Sequence, residues 1–326
     1  MYPLHYPSPI TMPRLNAEAL RDKLLNSSDG SRYYAEDGLT SLLTWFKTAD
    51  FDRVVLKEEV ERYEEARMHY CGDTSVQPPS APPALVMTAI VRLSSHWGYF
   101  MTACSKWTPV SKIPFKSARA SALAEDSGLP ELHGEFETGL AMLSALTDQL
   151  LVGSNVESQA NGVIEYNLRS GRPGFKIGHK LFEPRTYNGV TRSEDDDPDY
   201  RIENWPVTRQ AMPALEKVKA SHIANPIPAY NEYGLLIHPT RYEAQLKGAV
   251  VKLSFVLNHW CIDHKNSFNL DVIKIRVLVP PPPLDTPTPK RNRQVARIDD
   301  SQSESSDSDP PTPSKKPKHR GARGNK

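Results

Sequence analysis

KGAVVKLSFVLNHWCIDHKNSFNLDVIKIRVLV, residues 247–279, decides how the rest of the chain is read. Val251, Leu253, Phe255 and Leu257 alternate with Lys252, Ser254, Val256 and Asn258. Side chains of a strand point to opposite faces in turn, so this is a strand with one apolar face. Ile273, Ile275, Val277 and Val279 repeat the pattern against Lys274 and Arg276. Between the two, Asp263 to Ser267 carries turn-forming residues and is short enough for a hairpin loop. The spacing predicts a long β-hairpin.

Working upstream, residues 84–246 supply more short strands than helices. LVMTAIVRL (85–93) and YFMTACSKWTPV (99–110) are β-prone, with SSHWG as a turn between them. VIEYNL (163–168), SGRPG and FKIGHKLF (175–182) read as a second hairpin. Gly234 to Ile237 reads as a short strand, and 194–200, EDDDPDY, as a solvated acidic loop. Helices are expected at 140–151 and within 208–224. Residues 14–72 read instead as a helical segment. Asn16 caps AEALRDKLLN, LTSLLTWF (39–46) makes a second helix, and Asp50 caps a third from Phe51 to about Tyr70, with pairs such as Glu58 and Arg62. Residues 1–13 are Pro-rich and extended, and the four prolines of 73–83 make that stretch a linker. No fixed-period repeat is visible.

Downstream, the composition changes at PPPP. The tail, 281–326, is expected to be disordered, since it lacks the apolar residues of a core. It carries two basic clusters of the nuclear-localisation type, Lys290, Arg291 and Arg293, then Lys315, Lys316, Lys318 and Arg320. Thr286, Thr288 and Thr312 precede prolines, and Ser303, Ser305 and Ser306 lie in an acidic run, so all six are candidate phosphorylation sites. Each phosphate would add about −1.5 to −2 charges and mask the basic clusters. These features predict a nuclear protein whose tail meets an import receptor. The plainer reading is a solubilising tail.

Charge is unevenly placed. The chain has 40 Lys+Arg and 39 Asp+Glu, and from Asp285 onward these number 10 and 6, leaving 30 and 33 for the rest. The body is therefore near neutral, and any polyanion site on it must be local. Three cysteines, an odd and sparse count, argue against a disulfide framework and for a reducing compartment. The first residues lack the pattern of a signal peptide, and no apolar run of about 18 residues exists, so no membrane span is expected.

Catalytic signatures are missing. There is no G-x-S-x-G, no phosphate loop and no G-x-G-x-x-G opening a helix. His259, Cys261 and His264 are possible soft metal ligands without metal-site spacing, and His259 and Cys261 read as inward residues at a strand end. The acidic loop lacks the calcium pattern. Neither a metal nor a cofactor is expected; missing motifs do not exclude an enzyme, and a non-enzyme is favoured over a divergent enzyme from a mobile element. Aromatic and basic residues interleave more suggestively. Lys106, Trp107 and Lys112 fall together; Arg169, Arg172 and Lys176 surround a hairpin tip; Lys252, Trp260, Lys274 and Arg276 stand on the long hairpin. Bases of single strands stack on aromatic rings while Lys and Arg meet phosphates. The same residues also suit a buried core and guarded strand edges.

The order of small residue, long alternating strand, aromatic-rich turn, second alternating strand and Pro over 247–280 resembles the closing half of an OB-fold barrel. GAVVKLSFVL is similar to a strand of replication-type single-stranded DNA-binding proteins. The short strands and few helices of 84–280 already suggest an α+β, mainly β domain, an antiparallel barrel or sandwich, with the long insertions favouring a decorated barrel. The resemblance implies that this domain is a decorated antiparallel OB-like β-barrel with a groove for single-stranded DNA. The alternative is a protein-interaction or scaffold module that uses a sheet edge or the N-terminal helices, without nucleic-acid binding.

Overall fold

A computed structural model of the chain describes residues 15–70, 77–96, 98–151, 162–168, 170–187, 189–194, 197–262 and 265–282. The chain divides into two units, Met1–Pro283 and Leu284–Lys326, and every described residue belongs to the first. The basic clusters and phosphorylation sites expected in the tail, and Arg169, lie outside the described residues.

The N-terminal part contains α1 (Ala17–Leu25), β1 (Arg32–Tyr33), α2 (Leu39–Leu42), β2 (Leu43–Lys47), β3 (Asp52–Leu56) and α3 (Lys57–Tyr70). Asn16 caps α1 as expected, its side chain accepting from the Ala19 amide at 2.9 Å. The two helices expected over 39–46 and 51–70 are cut short by a β-hairpin. Thr44, Trp45, Phe46, Val54 and Val55 are β-branched or aromatic, and they favour the pleated strand over the helix. Thr48 closes the turn: its amide donates to the Phe51 carbonyl at 3.1 Å, and its hydroxyl accepts from the Phe51 amide at 3.2 Å.

Then come β4 (Met87–Leu93), β5 (Arg119–Asp126), α4 (Glu135–Leu151), β6 (Ile164–Tyr166) and β7 (Pro173–Lys180). A decorated stretch follows: β8 (Phe182–Pro184), β9 (Thr186–Tyr187), β10 (Val190–Thr191), α5 (Met212–Lys219), β11 (His222–Ala224) and β12 (Ala229–Tyr230). The chain closes with α6 (Tyr242–Leu246), β13 (Val250–Ile262) and β14 (Lys265–Val279). The predicted long hairpin is β13 and β14. The expected strand over 99–110 is an irregular connection, and β5 stands where no strand was expected.

β4 pairs with β5 and β5 with β7; β13 returns after a long connection to lie beside β4, all antiparallel. The spatial order β13-β4-β5-β7 is a Greek key. β14 pairs antiparallel with β13 along its length and parallel with β7. Five strands thus follow one another around a ring. The ring is partial and does not close into a barrel. β7 and β14 share only two register pairs, Ile177 with Leu270 and Gly178 with Asp271. The cause is that β6 already occupies the start of the same β7 edge, opposite Pro173, Gly174 and Phe175. The sheet is also mixed, since β1 runs parallel to β4 and β12 parallel to β14. Of the described residues 30% are helical and 32% are in strands, which makes this an α+β arrangement with a mainly sheet core.

β13 is long enough to serve two neighbours. Val250–Phe255 pair with β4, whereas Asn258 and His259 pair with Arg53 and Asp52 of β3. The β2–β3 hairpin therefore belongs to the same sheet. A register shift between Ser254 and Phe255 leaves Ile273 without an opposite residue, a β-bulge. Ile273 is consequently 46% exposed, although its place in the alternation put it on the apolar face. Inside the ring, Phe255, Leu257, Phe175, Ile177 and Leu270 are fully buried. α4 covers one side so closely that a Cβ on Gly139 would lie 2.0 Å from the Tyr34 ring.

Candidate nucleic-acid interface

The connection from β4 to β5 is irregular but pinned. The Tyr99 hydroxyl donates to the Tyr242 carbonyl at 2.9 Å, and the Trp205 indole donates to the Ala103 carbonyl at 2.9 Å. These two anchors fix a loop that would otherwise have no regular structure. Trp107 is held in turn: its indole N–H donates to the Ile113 carbonyl at 2.9 Å, and its ring lies 4.9 Å from that of Phe115. Phe115 is buried against Phe182 at 5.0 Å, so the half-buried Trp107 stands on the core.

Beneath this loop is a cleft of about 460 Å³. The loop supplies Lys106, Trp107 and Lys112, β5 supplies Arg119, β7 supplies Lys176 and Gly178, and β14 supplies Asn269. Its floor is a fixed polar network. Arg119 pairs with Asp271, whose carboxylate also accepts from Asn269 Nδ2 at 2.6 Å and Asn258 Nδ2 at 2.8 Å. A Cβ on Gly178 would lie 3.3 Å from Asn269 Oδ1 and 3.4 Å from Arg119 Nε, so the bare glycine leaves room for both. Lys176 is partly neutralised by Glu165 at 3.1 Å. Lys106 and Lys112 are exposed at the mouth. Lys180 lies near Arg119 and Arg192, and its pKa is lowered by burial first and by those cations second. Such a cleft offers an aromatic face, a rigid hydrogen-bonding floor and cations at its rim, which suits a planar ring attached to an anion.

Ser105, on the cleft wall, is the one described non-glycine residue with positive φ, at 54°. Its hydroxyl donates to the Arg119 carbonyl, which ties the loop to β5. The left-handed conformation costs about 1–2 kcal/mol for a residue with a Cβ. Ser105→Ala loses the tie and keeps the strain, and should destabilise by about 1–2 kcal/mol. Ser105→Gly loses the tie and relieves the strain, and should be closer to neutral. Urea unfolding of the pair checks this ordering.

Lys106, Trp107, Lys112 and Lys176 of the sequence-expected residues therefore meet in one place. The others do not line the cleft. Arg172 is exposed at the β6–β7 turn. Lys252 is half-buried near Asp29 and Lys23, with its pKa lowered chiefly by burial. Lys274 lies 5.0 Å over the Tyr230 ring, and Arg276 donates to the Glu232 carbonyl at 2.8 Å. Trp260 packs against Phe51, ring centroids 5.5 Å apart. Arg119 belongs to the same aromatic and basic stretch of sequence as Lys106, Trp107 and Lys112, whereas Asn269 and Asp271 were not expected, because nothing local marks them. His259 is inward as expected, bonded to Asp52 at 2.9 Å and Asn266 at 2.9 Å, whereas Cys261 is exposed.

Among the described residues no group of His, Cys, Asp and Glu is placed to hold a metal ion, and no helix is long and apolar enough to cross a membrane. Comparison with family descriptions, with curated proteins and with solved structures finds no match to the chain.

Proposed function

We propose that the chain is a non-enzymatic, nuclear nucleic-acid-binding protein that takes single strands, DNA first, in the cleft under Trp107. The observation that carries this reading is the meeting of Trp107 with Lys106, Lys112, Arg119 and Lys176 around about 460 Å³ of open space. Stacking on the ring and phosphate contacts by the cations are the two interactions that single strands need. The fold reading supports it. An OB-fold is a five-stranded, partly open Greek-key barrel that binds oligonucleotides across its second and third strands and the loop between its first two. The corresponding places here are β5, β7 and the loop from β4 to β5. The tail is read as the nuclear address, with phosphorylation as its switch.

A salt titration tests this. Residues 1–284, without the tail, should bind oligothymidylate with log affinity falling by about 0.7 per phosphate contact for each tenfold rise in salt. If only the full chain binds, and holds single and double strands alike, the tail is a plain polycation and the cleft has another ligand. A protein-interaction reading has its own support. Tyr233 and Leu235, 70% and 66% exposed, project from a turn fixed by Asn231, which accepts from both of their amides at 3.0 and 2.9 Å.

A further inference from the structure

The face that carries the cleft floor does not end at Asn269. Residues directly opposite one another across paired strands point to the same side of the sheet. Arg53 is opposite Asn258, and Asn258 is opposite Asn269, so these three form one row across β3, β13 and β14. The next row on the same face lies two residues along, about 7 Å away. It holds Trp260 and Ser267, which are paired, and Phe51, whose ring meets that of Trp260 at 5.5 Å with an interplanar angle of 35°. Both rings are half-exposed, and Lys265 follows on the same face, exposed. In the row between the cleft and these rings, Arg53 Nε is buried without a hydrogen-bond partner. The hairpin of β9 and β10 borders the same corner, since the Tyr187 hydroxyl donates to Asp50, next to Phe51, at 3.2 Å.

Resting on the reading above, we propose that the β2–β3 hairpin builds a second stacking site for the same single strand. One base sits on Trp260 and Phe51, and Arg53 meets the backbone that runs from there to the cleft under Trp107. The N-terminal hairpin lies outside the five-stranded ring, so on this proposal it lengthens the track instead of merely covering the sheet.

The test uses the full chain with oligothymidylates of about 4 and about 12 nucleotides, the lower and middle range of single-strand site sizes. Phe51→Ala and Trp260→Ala should each weaken the longer oligomer by about tenfold, the scale of one lost base stack, and leave the shorter one nearly unchanged. Trp260→Phe keeps an aromatic face and should recover most of the loss. Arg53→Gln should lower the salt slope for the longer oligomer by about 0.7. If the parent binds both oligomers and the alanine variants match it at both lengths, the second site is overturned and the cleft stands. If both lengths weaken equally and Trp260→Phe restores nothing, the rings are structural, and the proposal is again overturned. If the parent binds neither oligomer, the single-strand reading itself falls and this site with it.

Discussion

Phe175→Ala should lower the stability of the protein by about 3–5 kcal/mol, the usual cost of deleting a buried phenyl ring. Phe175 is fully buried. Its ring lies 5.6 Å from Phe255 on β13, 5.9 Å from Phe136 on α4 in a stacked pair, and 6.1 Å from Tyr34 just beyond β1. One side chain thus joins the ring of strands to the helix that covers it and to the N-terminal segment. The hole left by alanine has little freedom to shrink. Gly174 already sits where a Cβ would be 2.7 Å from the Ala124 carbonyl, and Tyr34 already rests on the bare backbone of Gly139. The upper half of the range is therefore expected. Urea unfolding followed by circular dichroism measures it, and a cost below about 1 kcal/mol would show that these rings do not act as one core. Lys176 and Gly178 alternate with Phe175 and Ile177, so β7 ties core stability to the cleft: one face fills the interior while the other lines the site.

The long hairpin was legible because bulky β-branched residues and polar ones alternate over two whole strands. β5 was not: Ala120, Ala122 and Ala124 are fully buried, but Ser121 and Leu123 between them are buried as well, so the strand lacks a clean period of two. Alanine gives a weak period-two signal and favours helices, so the pattern reads poorly in sequence. The β2–β3 hairpin was hidden for another reason. Val54, Val55 and Leu56 run directly into the charged helix that follows, and the two together mimic one long amphipathic helix. The partial closure of the ring depends on which half of a β7 edge goes to β6, a question of register that no local pattern settles. The same limit applies to the cleft. Lys106, Trp107 and Lys112 are close in sequence and could be read as a group. Arg119 and Asp271 lie 152 positions apart and meet only because β5, β7 and β14 are neighbours.

Trp107→Ala should weaken single-strand binding by about 1–3 kcal/mol, roughly 5- to 150-fold, because one base loses its stacking partner. The magnitude follows from how the ring is held. The Ile113 carbonyl fixes the indole edge and Phe115 supports the ring, so little side-chain freedom remains for binding to remove. Trp107→Phe keeps a face of similar orientation and should lose only a fraction of this. Lys112→Ala acts through charge instead. It should flatten the salt dependence by about 0.7 in log–log slope while weakening binding less than Trp107→Ala at moderate salt. Lys252→Ala is the control, since Lys252 lies by Asp29 and Lys23 and does not line the cleft. It should bind as the parent does. Fluorescence anisotropy of labelled oligothymidylate across a salt series separates the three alanine variants, and thermal melts show whether the loop stays anchored through Tyr99 and Trp205. Equal weakening by all three variants would mean that binding is diffuse attraction to a surface. Loss confined to Trp107 and Lys112 would place the strand in the cleft, where the ring supplies affinity and the rim lysines supply the salt dependence.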